Sequence, residues 1–328
     1  MKRIIFFVLC SILLVGCVKN DIPVETGYSG EVIYAPIKID EASPSGSAGN
    51  ADSFGDENRI TLPFLKATGL PKIDGSTATI PLGEALVSLL LDIPRSEAAG
   101  MIDFNGTHSA YVNLIYGERD LVIAYEPTDE AVKTQRENDF EWELAPIGRD
   151  ALVFLVNASN PVENITMEQA RKIYIGEITN WKELGGNDLK IEPFQRNADS
   201  GSQTLFLKLI MKGAEPMKPD TKYIQGGMMG LVESVASFNE TGAAIGYSVY
   251  YYAKNMNPNN ELKFLKIDDV EPNNINIQNG SYLPVNNFYA AISKTEPTDS
   301  AACQIFNWLQ SDEGKTLIEN EGYVPVID

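Results

Sequence analysis

From Leu70 to the C-terminus, short apolar runs alternate with segments whose apolar residues fall at helical spacing, and this alternation narrows the possible folds more than any other feature. Residues 120–125, 151–156, 243–247 and 288–292 read as buried strands. Among them, Leu82, Ala85, Leu86, Leu89 and Leu90 trace one helix face, and Val232, Val235, Ala236 and Phe238 another. Residues 301–309 and 313–319 give two more helices. Strands that alternate with helices define the α/β class with a largely parallel sheet. In such sheets ligands sit beyond the carboxyl ends of strands, so the loops there are the first place to look for function.

Three of those loops share a chemistry. After a short strand at residues 70–73, Asp74-Gly75-Ser76-Thr77-Ala78-Thr79-Ile80-Pro81 is rich in hydroxyls and leads into a helix, with Pro81 suited to the first turn. Residues 101–104 read as a strand, Asn105-Gly106-Thr107-His108-Ser109 as a turn, and residues 111–116 as a short helix closed by Gly117. The third loop, Arg196-Asn197-Ala198-Asp199-Ser200-Gly201-Ser202-Gln203, is the most specific. Ser200 and Gln203 have the form of a capping box, and Leu205, Phe206, Leu209 and Ile210 follow at helical spacing, which starts the helix at Ser200 or Gly201. Free N–H groups at a helix start attract an oxyanion, Gly201 lets the backbone approach it, and Arg196 adds a bidentate cation. An ordinary capped helix with Arg196 paired to Asp199 at the surface fits that stretch taken alone equally well.

The remaining composition excludes several functions. The chain has 328 residues, enough for two medium cores, and is 44% hydrophobic. A net charge of -19 argues against nucleic acid, which requires a basic footprint. Lys2 and Arg3 precede an apolar run over residues 4–15 that is too short to span a membrane and reads as a secretory signal over residues 1–16. It ends in Leu14-Val15-Gly16-Cys17, which resembles a bacterial lipobox and implies lipidation of Cys17 and attachment to a membrane. Residues 17–58 are the lipidated cysteine and its flexible tether, in which residues 31–37 add a strand or stay disordered, and order begins near Ile60. With Cys10 lost and Cys17 acylated, Cys303 is left alone on an apolar helical pattern, as buried filler. One histidine, His108, and scattered carboxylates support neither a Ser-His-Asp triad nor a metal centre, and no cofactor is expected. Thr166-Met167-Glu168-Gln169 is a second capping box, and Tyr250-Tyr251-Tyr252 reads as aromatic packing near a junction between lobes. Residues 151–156 open a second sheet in this reading.

Laid end to end, these motifs resemble the phosphate-binding proteins of bacterial ABC importers, the PstS-like family of the periplasmic-binding-protein superfamily. The resemblance runs in order through Asp74-Gly75-Ser76-Thr77, Ile173-Tyr174-Ile175-Gly176-Glu177-Ile178-Thr179-Asn180-Trp181, Arg196 with Ser200-Gly201-Ser202, Gly242-Ala243-Ala244-Ile245-Gly246-Tyr247, and Glu313-Gly314-Lys315 with Gly322-Tyr323-Val324-Pro325. It implies two α/β lobes, each a mixed sheet flanked by helices, joined by two hinge crossovers. Residues 59–146 with 251–328 form lobe 1 and residues 147–250 form lobe 2. Ligand binding is then expected from Arg196, Ser200, Gly201 and Ser202 on one side and Ser76, Thr77, Thr79 and Thr107 on the other. A monomer that takes inorganic phosphate or a similar oxyanion and docks on ABC permease subunits is implied. Two departures stand out. Asn105-Gly106-Thr107-His108-Ser109 replaces a loop usually rich in glycine and serine. The family's carboxylate that accepts the proton of hydrogen phosphate falls near Tyr125, where the nearest acid is Glu126, with Asp74 and Asp199 as other candidates. A binder or sensor of another oxyanion or a phosphorylated solute, and an extracellular hydrolase, are the competing readings.

Overall fold

One strand of 16 residues, Trp142–Asn157, organises the molecule. In the computed structural model, residues 69–219, 221–238 and 242–327 are described, so the expected secretory signal, Cys17, the expected tether and the expected start of order near Ile60 lie outside the described residues. We number the principal strands β1 (Ile73–Gly75), β2 (Leu121–Tyr125), β3 (Trp142–Asn157), β4 (Glu192–Pro193), β5 (Ala244–Val249) and β6 (Val285–Ser293). They lie in the order β1-β2-β6-β3-β5-β4 within an eight-stranded sheet, and strands Leu262–Phe264 and Val324–Pro325 also pair with β3. The α/β class is as expected, but the largely parallel sheet is not. Among these six strands β1 with β2 and β4 with β5 run parallel, while β6 pairs antiparallel with both β2 and β3, and β3 antiparallel with β5. Alternation of strands and helices leaves direction open when a late strand such as β6 returns between two early ones.

The second sheet does open near Ala151, as the continuation of a strand that already belongs to the first. The first part of β3 pairs with β6 from Trp142 to Ala151, and the strand then continues without a break to pair with β5 from Leu152 to Val156. Its early residues alternate between inside and outside, whereas Ala151 to Asn157 are all buried. Only the second part therefore gives the continuous apolar run that marks a strand in sequence.

Several local expectations hold. The helix Ile80–Leu91 carries Pro81 in its first turn. Thr166 Oγ1 accepts from the Gln169 N–H at 3.0 Å and the Thr166 N–H donates to Gln169 Oε1 at 2.8 Å, so the second capping box is made. Helices Met228–Ala236, Ala301–Trp308 and Asp312–Asn320 follow the apolar spacing, and Cys303 is buried. The expected strand at 101–104 is irregular instead. Ile102 and Phe104 are half-buried between exposed neighbours, which imitates a strand's period of two. What holds the segment is the Phe104 ring, seated where a Cβ on Gly75 or Gly83 would come within 2.5 Å of it. The next helix also starts earlier than the apolar spacing suggests, at Thr107 rather than Tyr111, because Gly106 turns the chain at φ 84°. Among the described residues no helix is long and apolar enough to cross a membrane.

At the centre of the sheet the Phe288 ring lies across Gly148, and a Cβ there would come within 2.1 Å of it. Gly148→Ala is expected to destabilise the fold by about 1–3 kcal/mol through overpacking. Urea unfolding checks this, and in a Phe288→Leu background the same alanine should cost clearly less.

Candidate anion-binding site

Arg196 is 8% exposed, yet no carboxylate pairs with it among the described residues. Its backbone forms a short parallel pairing with residues 224 and 225, and this sets the side chain against carbonyl groups. Nε donates to Gln225 O at 3.0 Å and one Nη2 proton to Gly226 O at 3.1 Å, while Nη1 lies 3.4 Å from Ser202 Oγ. Carbonyl dipoles fix the guanidinium without cancelling its charge. Of five N–H donors, these contacts use three, so two remain for a ligand. Burial pulls the guanidinium pKa below its ordinary value, against a weaker opposing effect of Tyr247 and Tyr252. It stays protonated, and a buried cation without a counter-ion is costly until an anion joins it. The surface pairing with Asp199 is therefore not what this structure forms, and Asp199 is exposed.

The helix Gly201–Phe206 begins where the sequence places it, but its capping box is not made. Gln203 Oε1 instead accepts the Arg196 N–H at 3.2 Å and the Tyr247 hydroxyl. The Phe206 ring stacks on Tyr247 with centroids 4.4 Å apart and anchors the helix behind the loop. Freed from capping, Ser200 Oγ lies 2.9 Å from Ser202 Oγ. The first backbone bond of the turn is Thr204 N–H to Ser200 O at 3.0 Å, so the N–H groups of residues 201 to 203 precede the helical ladder. Two hydroxyls that bond each other use one proton, so the other remains to meet an acceptor.

A second hydroxyl pair faces this loop. Ser76 Oγ lies 2.8 Å from Thr107 Oγ1 and accepts the Tyr125 N–H at 3.1 Å. The two halves of the site touch at Gly201, where a Cβ would stand 2.3 Å from Thr107 Oγ1. The helix Thr107–Ile115 starts at the same place, with its first ladder bond from the Ala110 N–H to Gly106 O at 2.9 Å. Residues drawn from opposite ends of the sheet path thus converge as two hydroxyl pairs, helix starts and one unneutralised cation. That set can hold a small oxyanion by many directed donors.

The other candidates have different duties. Thr79 is fully buried and its hydroxyl reaches Ser76 O at 2.9 Å and Ile123 O at 2.6 Å, so it fastens the loop to β2. Thr77 is exposed at the start of the same turn. Asp74 accepts from the N–H groups of Gly75 and Asn105 at 2.7 Å and from the amides of Asn105 and Asn113 at 3.0 and 2.9 Å. Both its oxygens hold protein donors. The Glu126 carboxylate pairs with Lys208 and lies 3.3 Å from the Tyr289 hydroxyl, so it too is engaged. His108 Nδ1 lies 2.9 Å from Thr128 Oγ1, and the hydroxyls of Ser200 and Ser202 face each other, so no serine–histidine pair is set here for nucleophilic attack. Sequence reasoning missed the carbonyls of Gln225 and Gly226 and the acceptor role of Gln203, because all three follow from chain pairing that leaves no local motif.

Sequence reasoning also passed over Asp150 on β3, 2% exposed. It accepts the Tyr125 hydroxyl at 2.7 Å and the N–H groups of Ala151 and Tyr251 at 2.7 and 3.1 Å. Burial pushes its carboxyl up to about 6, with those hydrogen bonds opposing the shift.

Residues 97–313 match the PBP superfamily domain, and the chain belongs to that superfamily. Within it, the chain is 27% identical over 264 residues to the phosphate-binding protein PstS of Bacillus subtilis, covering 80% of this chain and 83% of that one. It is 25% identical over 262 residues to PstS of Borreliella burgdorferi, covering 77% and 89%. Among solved structures, a putative phosphate ABC transporter substrate-binding protein with bound phosphate from Clostridium perfringens superposes with a TM-score of 0.61 at 24% identity, covering 78% of this chain and 98% of that one. An ABC-type phosphate transport receptor from Vibrio cholerae gives a TM-score of 0.57 at 23% identity, covering 77% and 98%. These superpositions establish a common fold.

Contact at Gly201 leaves no room for a side chain. Gly201→Ala is expected to weaken oxyanion binding at least about tenfold, or 1.4 kcal/mol, by holding the two halves of the site apart. Calorimetric titration checks the loss, and thermal unfolding without ligand should change little.

Proposed function

We propose that the protein is an extracytoplasmic solute-binding protein that captures inorganic phosphate between two lobes and delivers it to an ABC importer. Lobe 1 comprises residues 59–146 with 251–328, and lobe 2 residues 147–250. A lipid on Cys17 holds the protein at the membrane, and the protein acts as a monomer by reversible binding, without chemistry. Arg196 carries the reading: a buried guanidinium, fixed by carbonyls and with no carboxylate paired to it among the described residues, opens onto the hydroxyls of Ser200 and Ser202. The names of the relatives support phosphate as the ligand and an ABC transporter as the partner.

A second reading, a binder of another oxyanion, is favoured by one observation. Hydrogen phosphate carries a proton that needs an acceptor, and a fully ionised isostere does not. Asp74 gives both oxygens to protein donors and Glu126 is drawn to Lys208 and Tyr289. The Ser and Thr hydroxyl oxygens are then the acceptors at hand.

Calorimetry of the soluble form against phosphate, sulfate and phosphonates separates the two readings. Heat with phosphate at micromolar protein is expected, and its absence would overturn the proposal. Arg196→Ala should lose at least about tenfold in affinity, since a charged hydrogen bond contributes roughly 1.5 to 3 kcal/mol. An unchanged affinity would place the ligand elsewhere.

A further inference from the structure

The turn at residues 76–79 is tied at both ends to one buried ring of contacts. Ser76 Oγ accepts the Tyr125 N–H, and the Tyr125 hydroxyl donates to Asp150 Oδ2. Asp150 Oδ1 accepts the Tyr251 N–H, and the Tyr251 ring stacks on Tyr323 with centroids 3.5 Å apart and planes 10° from parallel. The Tyr323 hydroxyl closes the ring by donating to Ala78 O at 2.8 Å. Asp150 lies on β3 and Tyr251 just beyond β5, the two passages by which the chain crosses between the proposed lobes. One carboxylate therefore grips both crossovers and the strand that orients Ser76.

We propose that Asp150 is a positioning residue for anion binding, a proton-sensitive clamp that sets the Ser76–Thr107 half of the site by holding Tyr125 and Tyr251 together. This rests on the oxyanion-binding reading above. Bonds to an ionised acceptor are about twice as strong as neutral ones, so the clamp is tight when Asp150 is charged and slackens on protonation. The ionisable groups facing it are the phenols of Tyr125, Tyr250 and Tyr251, with Tyr323, Glu321 and Arg95 beyond Tyr251 and Glu271 beyond Tyr250. Asn286 stands opposite in the neighbouring strand. The phenols are all shifted upward by burial, so none of them titrates in the acid range with Asp150.

The test is the phosphate affinity of wild type, Asp150→Asn, Tyr125→Phe and the double variant, by calorimetry, each compared with wild type at the same pH so that ligand ionisation cancels. At pH about 8, Asp150→Asn and Tyr125→Phe should each bind roughly fivefold more weakly. At pH about 5 the Asp150→Asn ratio should approach one, because wild-type Asp150 is then protonated as well. The double variant should be little weaker than either single one. A ratio independent of pH, additive losses, or tighter binding by Asp150→Asn would overturn the clamp. Should Asp150→Asn fail to fold, Tyr125→Phe decides alone, and wild-type affinity there overturns it. Wild type that binds no phosphate would sink the oxyanion reading itself, and the clamp with it.

Discussion

The buried charge of Arg196 is the constraint that the site answers to. A guanidinium removed from water without a counter-ion is unfavourable, and among the described residues it meets carbonyls and a hydroxyl, not an acid. Dipoles hold its orientation but leave the charge available. The protein as a whole is acidic, with a net charge of -19, so long-range attraction cannot supply the affinity for an anion. Local donors must do so in a partly dry setting, where each directed hydrogen bond is worth more than at the surface.

Everything around Arg196 serves its placement. The Phe206–Tyr247 stack seats the helix that presents Ser200 and Ser202, and Gln203 links the Arg196 backbone to the Tyr247 hydroxyl. On the other side Thr79 and Asp74 are consumed in building the Ser76 turn, and the Ser76 hydroxyl meets that of Thr107, which lies against Gly201. Residues of similar chemistry a few positions apart thus divide into those that hold the loop and those that it displays. β3 joins the two groups mechanically, since one continuous strand pairs with β6 in its first part and with β5 in its second.

That division marks how far the sequence could be read. The Thr166 cap, Pro81 in its first turn and the start of the helix at Gly201 were legible, because each depends on contacts within four residues. The strand at 101–104 misled, because half-buried Ile102 and Phe104 repeat with a strand's period while the segment is held by a ring against two glycines. The capping box at Ser200 misled in the opposite way: its residues are present, but Gln203 finds a stronger demand in Tyr247, 44 residues distant.

By itself, then, the sequence determined the α/β class, the place of most of the helices and the residue types of an oxyanion site, because periodicity, capping and turn chemistry act over short stretches of chain. Tertiary structure alone decided that the sheet is antiparallel at its centre, that Arg196 has carbonyl partners, that Glu126 answers to Lys208, and that Asp150 ties β2 to the chain beyond β5. Each of those facts is a pairing between segments far apart in the chain, from 25 residues for Tyr125 with Asp150 to 169 for Ala291 with Val122. Such pairings are fixed by how the whole core packs, and short-range patterns carry no record of them.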